Sequence, residues 1–146
     1  MGLFRRREPK FPDLVALPPM AELPKARLQS AARYLGTVNE QDEKITGQSM
    51  AAKSSSRLNL SDEALDVVRM AGSFRIQADA LRGATAATHF AGQPVRDLLV
   101  VRWEHGEQQW RTGFRMDASR NAKAAAGSVP ELDQWVRTIS KMSRGK

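Results

Sequence analysis

Between Ser54 and Met116 the apolar residues recur at every second position, in runs separated by glycine-containing pairs. A period of two puts alternate side chains on opposite faces of a strand, so the middle of the chain is committed to a sheet with one buried side. Ser54–Leu60 sets Leu58 and Leu60 on one face and Arg57 and Asn59 on the other. Leu65–Met70 and Ser73–Ala78 flank Ala71-Gly72, a hairpin signal because a tight turn needs the positive φ that glycine supplies. In that register Leu65, Val67, Phe74 and Ile76 share a face. A second hairpin is predicted about His105-Gly106, joining Asp97–Glu104 to Glu107–Met116. Pairing about that turn sets Trp103 opposite Gln108, Val101 opposite Trp110 and Leu99 opposite Thr112. Leu99, Val101, Trp103, Trp110 and Phe114 then line the core face, with Arg102, Gln109, Arg111 and Arg115 mostly on the other. Ala84–Phe90 reads as a further strand, with Gly92-Gln93-Pro94 as a loop behind it.

The two ends depart from this period. Five of the seven prolines fall in residues 1–30, where each fixes φ and removes a donor. Residues 1–30 are predicted to be a flexible basic leader, with Met1–Glu22 extended and free of core contacts, and residues 31–146 the domain proper. Pro24 can open a short helix over Lys25–Leu35; the competing reading takes the leader straight into a first strand near Ala32–Val38. At the other end Ser128 and Glu131 form a capping box, followed by Leu132, Trp135, Val136, Ile139 and Met142 along one helical stripe. Asp117–Ala126 is predicted to form a short helix ending at Gly127. The order is leader, about seven short strands, then an amphipathic helix.

Seven strands closed by one C-terminal helix is the order of a pleckstrin-homology-like (PH-like) barrel. The chain resembles the bacterial PH-like domains of actinobacteria, often labelled "PH domain" or "transporter". Arg33–Val38, Phe74–Leu81, Leu98–Trp103 and Trp110–Arg115 carry the resemblance, over about residues 32–143. It implies a mainly β fold, a seven-stranded barrel or sandwich capped by one helix. It also implies a non-catalytic binding or scaffold module, acting through protein interaction or weak association with a membrane surface. Such domains are expected to carry an N-terminal membrane-spanning helix, whereas no apolar run in this chain exceeds four residues, as in Leu98–Val101.

The functional signals are sparse. The chain of 146 residues has no cysteine, which excludes disulfides, thiolate metal sites and cysteine nucleophiles. Its two histidines, His89 and His105, are far apart in sequence, so neither a zinc site nor a His-centred acid–base pair is expected. Asp62, Glu63, Asp66 and Asp79 read as solvated strand-end carboxylates, and Ser54-Ser55-Ser56 has no neighbouring histidine to activate it. No catalytic residue, metal ligand or cofactor is assigned. Phosphoinositide-binding PH domains place bases in the loop between the first two strands, but Asn39–Lys44 holds three acids and one base there. Charge points instead to the leader, where Arg5, Arg6, Arg7 and Lys10 are the candidate contacts for a membrane or another anion. A net charge of +7 also permits nucleic acid, and a basic accessory protein of RNA or ribosome is the alternative reading. Trp103 and Trp110 belong to the core face, and no nucleic-acid-binding motif accompanies them. The expected protein is cytoplasmic, with peripheral contact at the inner face of the membrane and an unidentified protein partner.

Overall fold

The computed structural model describes residues 14–18, 25–46, 50, 52–70, 72–117 and 130–144. The strands are β1 Leu28–Val38, β2 Ser54–Leu60, β3 Ala64–Arg69, β4 Phe74–Gln77, β5 Leu81–Phe90, β6 Gln93–His105 and β7 Gln108–Met116. Helix α1, Pro130–Arg144, follows them. All seven strands form one antiparallel sheet in the order β4-β3-β2-β1-β7-β6-β5. This is the expected fold class, although no ladder joins β4 to β5 among the described residues, so the sheet does not close. It curls far enough for Phe74 on β4 to stack on Trp103 of β6, ring centres 6.1 Å apart.

β1 is the strand that serves both halves. It pairs with β2 over Leu28–Tyr34 and with β7 over Ala32–Val38, with a register break between Tyr34 and Gly36. Of the two readings of this stretch, the first strand near Ala32–Val38 is the one found, starting earlier at Leu28, and the helix over Lys25–Leu35 is not formed. Arg33, Tyr34 and Leu35 alternate between the two faces of a sheet already committed on both sides, and tertiary pairing outweighs the modest helix preference of Ala, Leu and Arg.

Inside the curl, Leu58, Leu60, Leu65, Val67, Phe74, Ile76, Leu99, Val101, Trp103, Trp110 and Phe114 are buried, as the alternation predicts. Leu132, Trp135 and Ile139 of α1 pack on the same core, and Trp135 Nε1 donates to Ser30 Oγ at 2.8 Å. A polar thread crosses this apolar interior. Trp103 Nε1 donates to Thr112 Oγ1, Thr112 meets Thr37 at 2.8 Å, Thr37 meets the Tyr34 hydroxyl at 2.9 Å, and that hydroxyl donates to the Met50 carbonyl at 2.6 Å. Each donor along this thread has an acceptor, which offsets the cost of desolvating it. Burial pushes the Tyr34 hydroxyl up to about 12, against smaller opposing effects from Thr37 and from Arg69. The Arg69 guanidinium lies over the Tyr34 ring at 4.5 Å.

Three further sequence expectations are corrected. The β6–β7 hairpin pairs Trp103 with Trp110, Val101 with Thr112 and Leu99 with Phe114, two positions from the expected register. Its turn is Gly106-Glu107, with φ of +61° and +67°, so glycine stands first in the turn and not second. A shift of two keeps every side chain on its face, which is why the core list survived. The loop expected at Gly92-Gln93-Pro94 is a two-residue turn, Ala91-Gly92, and Gln93 and Pro94 already belong to β6. The leader, expected to touch nothing, does reach the core: Leu14 packs against it, and Arg75 N–H donates to the Val15 carbonyl at 2.9 Å on the free edge of β4. Ser128 and residues 118–126 of the expected short helix lie outside the described residues.

Candidate functional site

The sheet is not buried on one side only. A second apolar cluster, Leu35, Val38, Phe90, Leu98 and Val100, covers part of its outer face. The cause is local. β6 carries two more residues than β5 between the pairs Ala87–Leu98 and His89–Pro94, and Asp97 within them has a φ of +51°. Such a bulge bends a hairpin sharply, and here the tip folds back so that Phe90 lies on β7. Gly113 makes this possible, because a Cβ there would stand 2.8 Å from the Phe90 ring.

Beside Phe90 the outer face opens into a cleft of about 460 Å³, with Phe90 and Val100 as its apolar floor and Asp42, His89, Arg102 and Arg111 on its walls. Arg102 on β6 and Arg111 on β7 are directly opposite in register. Their Cβ atoms are therefore roughly 5 Å apart, a spacing at which like charges destabilise a sheet. Arg111 Nη2 donates to the Asp42 carboxylate, which comes from the turn after β1. That turn is built by Asn39, whose Oδ1 accepts from the Gln41 and Glu43 N–H groups at 2.9 Å. Among the described residues no carboxylate pairs with Arg102. A second like pair, Arg33 opposite Arg115, stands on the same outer face, also without an ion pair among the described residues.

Elsewhere three further ion pairs are formed among the described residues. Arg75 forks onto Asp66 with bonds of 2.7 and 3.0 Å, and this bond holds the Arg75 guanidinium above its ordinary pKa. Asp66, read from the sequence as a solvated carboxylate, is in fact fully buried, because β4 delivers Arg75 opposite it. Arg82 pairs with Glu104 at 2.6 Å on the surface. His89 has its Nδ1 2.9 Å from Thr88 Oγ1, and His105 lies beside Trp103, ring centres 5.5 Å apart. These two histidines are far from forming a pair, and no group of three metal-ligating side chains occurs among the described residues.

The leader cations Arg5, Arg6, Arg7 and Lys10 lie outside the described residues. Lys44 of the acidic loop bridges back to Val38 by its backbone. The cleft itself was missed by sequence reasoning. Its signal was present as Arg102 and Arg111 on two strands of one hairpin, but only the true register sets them face to face.

A family model described as bacterial PH domain-like matches residues 11–130, which covers the whole sheet. The chain belongs to this family. Bacterial PH-like domains are generally non-catalytic and generally mediate protein or lipid interactions. The match begins at residue 11, so the family pattern takes in the Leu14 and Val15 segment that laces onto β4. A search of curated proteins finds none that matches this PH-like chain. No helix among its described residues is long and apolar enough to cross a membrane.

Proposed function

We propose that this PH-like chain is a non-catalytic binding module that attaches to an acidic protein partner through the outer face of β1, β6 and β7. The observation that carries this reading is the pair of like-charge contacts, Arg33 opposite Arg115 and Arg102 opposite Arg111. A fold gains nothing from opposing two guanidiniums, so the cost of about 0.2–1 kcal/mol per pair is consistent with a surface kept for an external anion. In this reading the sheet and α1 bind, and the basic start of the leader adds weak charge-driven contact with the inner face of the membrane through Arg5, Arg6, Arg7 and Lys10. The protein then works in the cytoplasm, partly at the membrane surface. A nucleic-acid partner would draw on the same net charge without a preference for the outer face.

The two contributions separate in one set of binding assays. Replacing Arg33, Arg102 and Arg115 with Ser should abolish capture by immobilised polyglutamate while leaving a folded protein. Replacing Arg5, Arg6 and Arg7 with Ser should leave that capture intact and remove most sedimentation with anionic liposomes, at about 1 kcal/mol per base. Unchanged polyglutamate capture after loss of the three outer arginines would refute the protein-binding reading. Tighter, steeply salt-dependent binding to RNA than to polyglutamate would favour the nucleic-acid alternative.

A further inference from the structure

We propose that the cleft beside Phe90 is a docking site for an acidic side chain of a peptide partner, received first by Arg102 and then by Arg111 as Asp42 yields its place. This deepens the preceding reading and rests on it.

Arg102 is exposed, and its guanidinium reaches over its β5 neighbour Gly83. Its guanidinium Nη2 occupies the position that a Cβ on residue 83 would need, and Gly83 holds a φ of +148° that side chains with a Cβ rarely adopt. The register shift between Leu81 and Gly83 falls where the guanidinium crosses over β5. The Arg102 side chain is exposed and pairs with no carboxylate among the described residues, so an external anion can reach it. Its neighbour Arg111 already holds a carboxylate, that of Asp42, so the chain itself shows which ligand chemistry this corner accepts. Asp42 is two-thirds exposed on a short turn, and an exposed ion pair of this kind is weak enough to exchange.

The same Asp42 argues for a carboxylate over a phosphate group. Its own carboxylate is the group that Arg111 holds, so this corner already accommodates a planar, singly charged acid. The floor adds the second half of the recognition. Phe90 and Val100, each 7% exposed, leave a narrow apolar strip next to the guanidiniums, enough for the stem of the acidic side chain itself.

The test is a titration of the full chain, at low salt, with a blocked octapeptide of alternating leucine and glutamate. The same peptide with glutamine in place of glutamate, and inorganic phosphate, serve as comparisons. Arg102→Gln should weaken binding of the acidic peptide about tenfold, the loss of one charge-assisted fork. Arg102→Lys keeps the charge but not the fork and should also weaken it, which covers the case in which the glutamine variant folds poorly. Asp42→Asn should strengthen binding by about threefold by removing the internal competitor. Arg57→Gln, on β2 away from the cleft, should change it little. Equal losses from Arg57→Gln and Arg102→Gln would overturn the cleft while leaving the basic-face reading intact. Phosphate binding more tightly than the acidic peptide would overturn the carboxylate assignment. Failure of the acidic peptide to bind better than its glutamine counterpart would overturn both readings.

Discussion

Two Asp–Arg pairs in this molecule have the same chemistry and opposite consequences. Asp66–Arg75 joins β3 to β4 with side chains 0% and 14% exposed; Asp42–Arg111 joins the turn after β1 to β7 with side chains 66% and 37% exposed. In the first, two forked bonds, one to each carboxylate oxygen, stand in for lost water, and burial keeps competing water out, so the pair is locked into the fold. In the second, water competes at every moment, and the pair is worth a fraction of a kcal/mol. Burial, not pairing, therefore decides whether an ion pair holds a structure together or merely occupies a surface that another anion can take.

The largest expected difference lies at Asp66. Asp66→Asn should cost about 3–5 kcal/mol in denaturant melts, because it leaves a half-buried guanidinium without its counterion. A loss below 1 kcal/mol would erase the contrast between the two pairs. Trp135→Ala should cost a similar amount, about 3–5 kcal/mol, since its ring is 1% exposed within the core. An unchanged melting point would show that α1 does not seal the sheet.

An intermediate effect concerns the buried phenol. The Tyr34 pKa is about 12 when folded against 10 when unfolded, so its contribution is whole below pH 10 and is lost as pH rises to 12. Two units correspond to about 3 kcal/mol. Tyr34→Phe should flatten the stability profile in that window while losing about 1–2 kcal/mol at neutral pH from the vacated hydrogen bonds. Identical alkaline slopes in the two proteins would mean the hydroxyl is not the group that titrates.

Removing residues 1–18 should cost about 1–2 kcal/mol through the lost Val15 rung and the Leu14 packing. No change in stability would mean that these contacts with β4 contribute nothing. Smallest of all, Asp42→Asn should move the melt by less than about 0.5 kcal/mol. A large loss there would place Asp42 among the structural residues and close the cleft to exchange.

Much of the fold was legible because alternation survives errors of pairing. Leu99, Val101, Trp103, Trp110 and Phe114 were assigned to the core from their period alone, and a two-residue slip in the hairpin left them there. The PH-like order of strands and helix was legible for the same reason. The outer face was not. Phe90 reaches it only through a bulge at Asp97 and the missing side chain of Gly113, neither of which has a periodic signature. The meeting of Arg102 with Arg111 was hidden by Gly106 taking the first turn position, which moved every cross-strand partner. Asp66 was misread because a lone carboxylate on a strand looks solvated until the opposing Arg75 is known.

The most direct test follows the arginine side-chain Nε–H signals by NMR while the leucine–glutamate octapeptide is titrated into the native protein. The signals of Arg102 and Arg111 should move together and saturably, while that of Arg75, locked on Asp66, should stay in place. Movement of Arg75 alongside them, or no movement at Arg102, would contradict the distinction between a buried pair that builds the fold and an exposed one that yields to a partner.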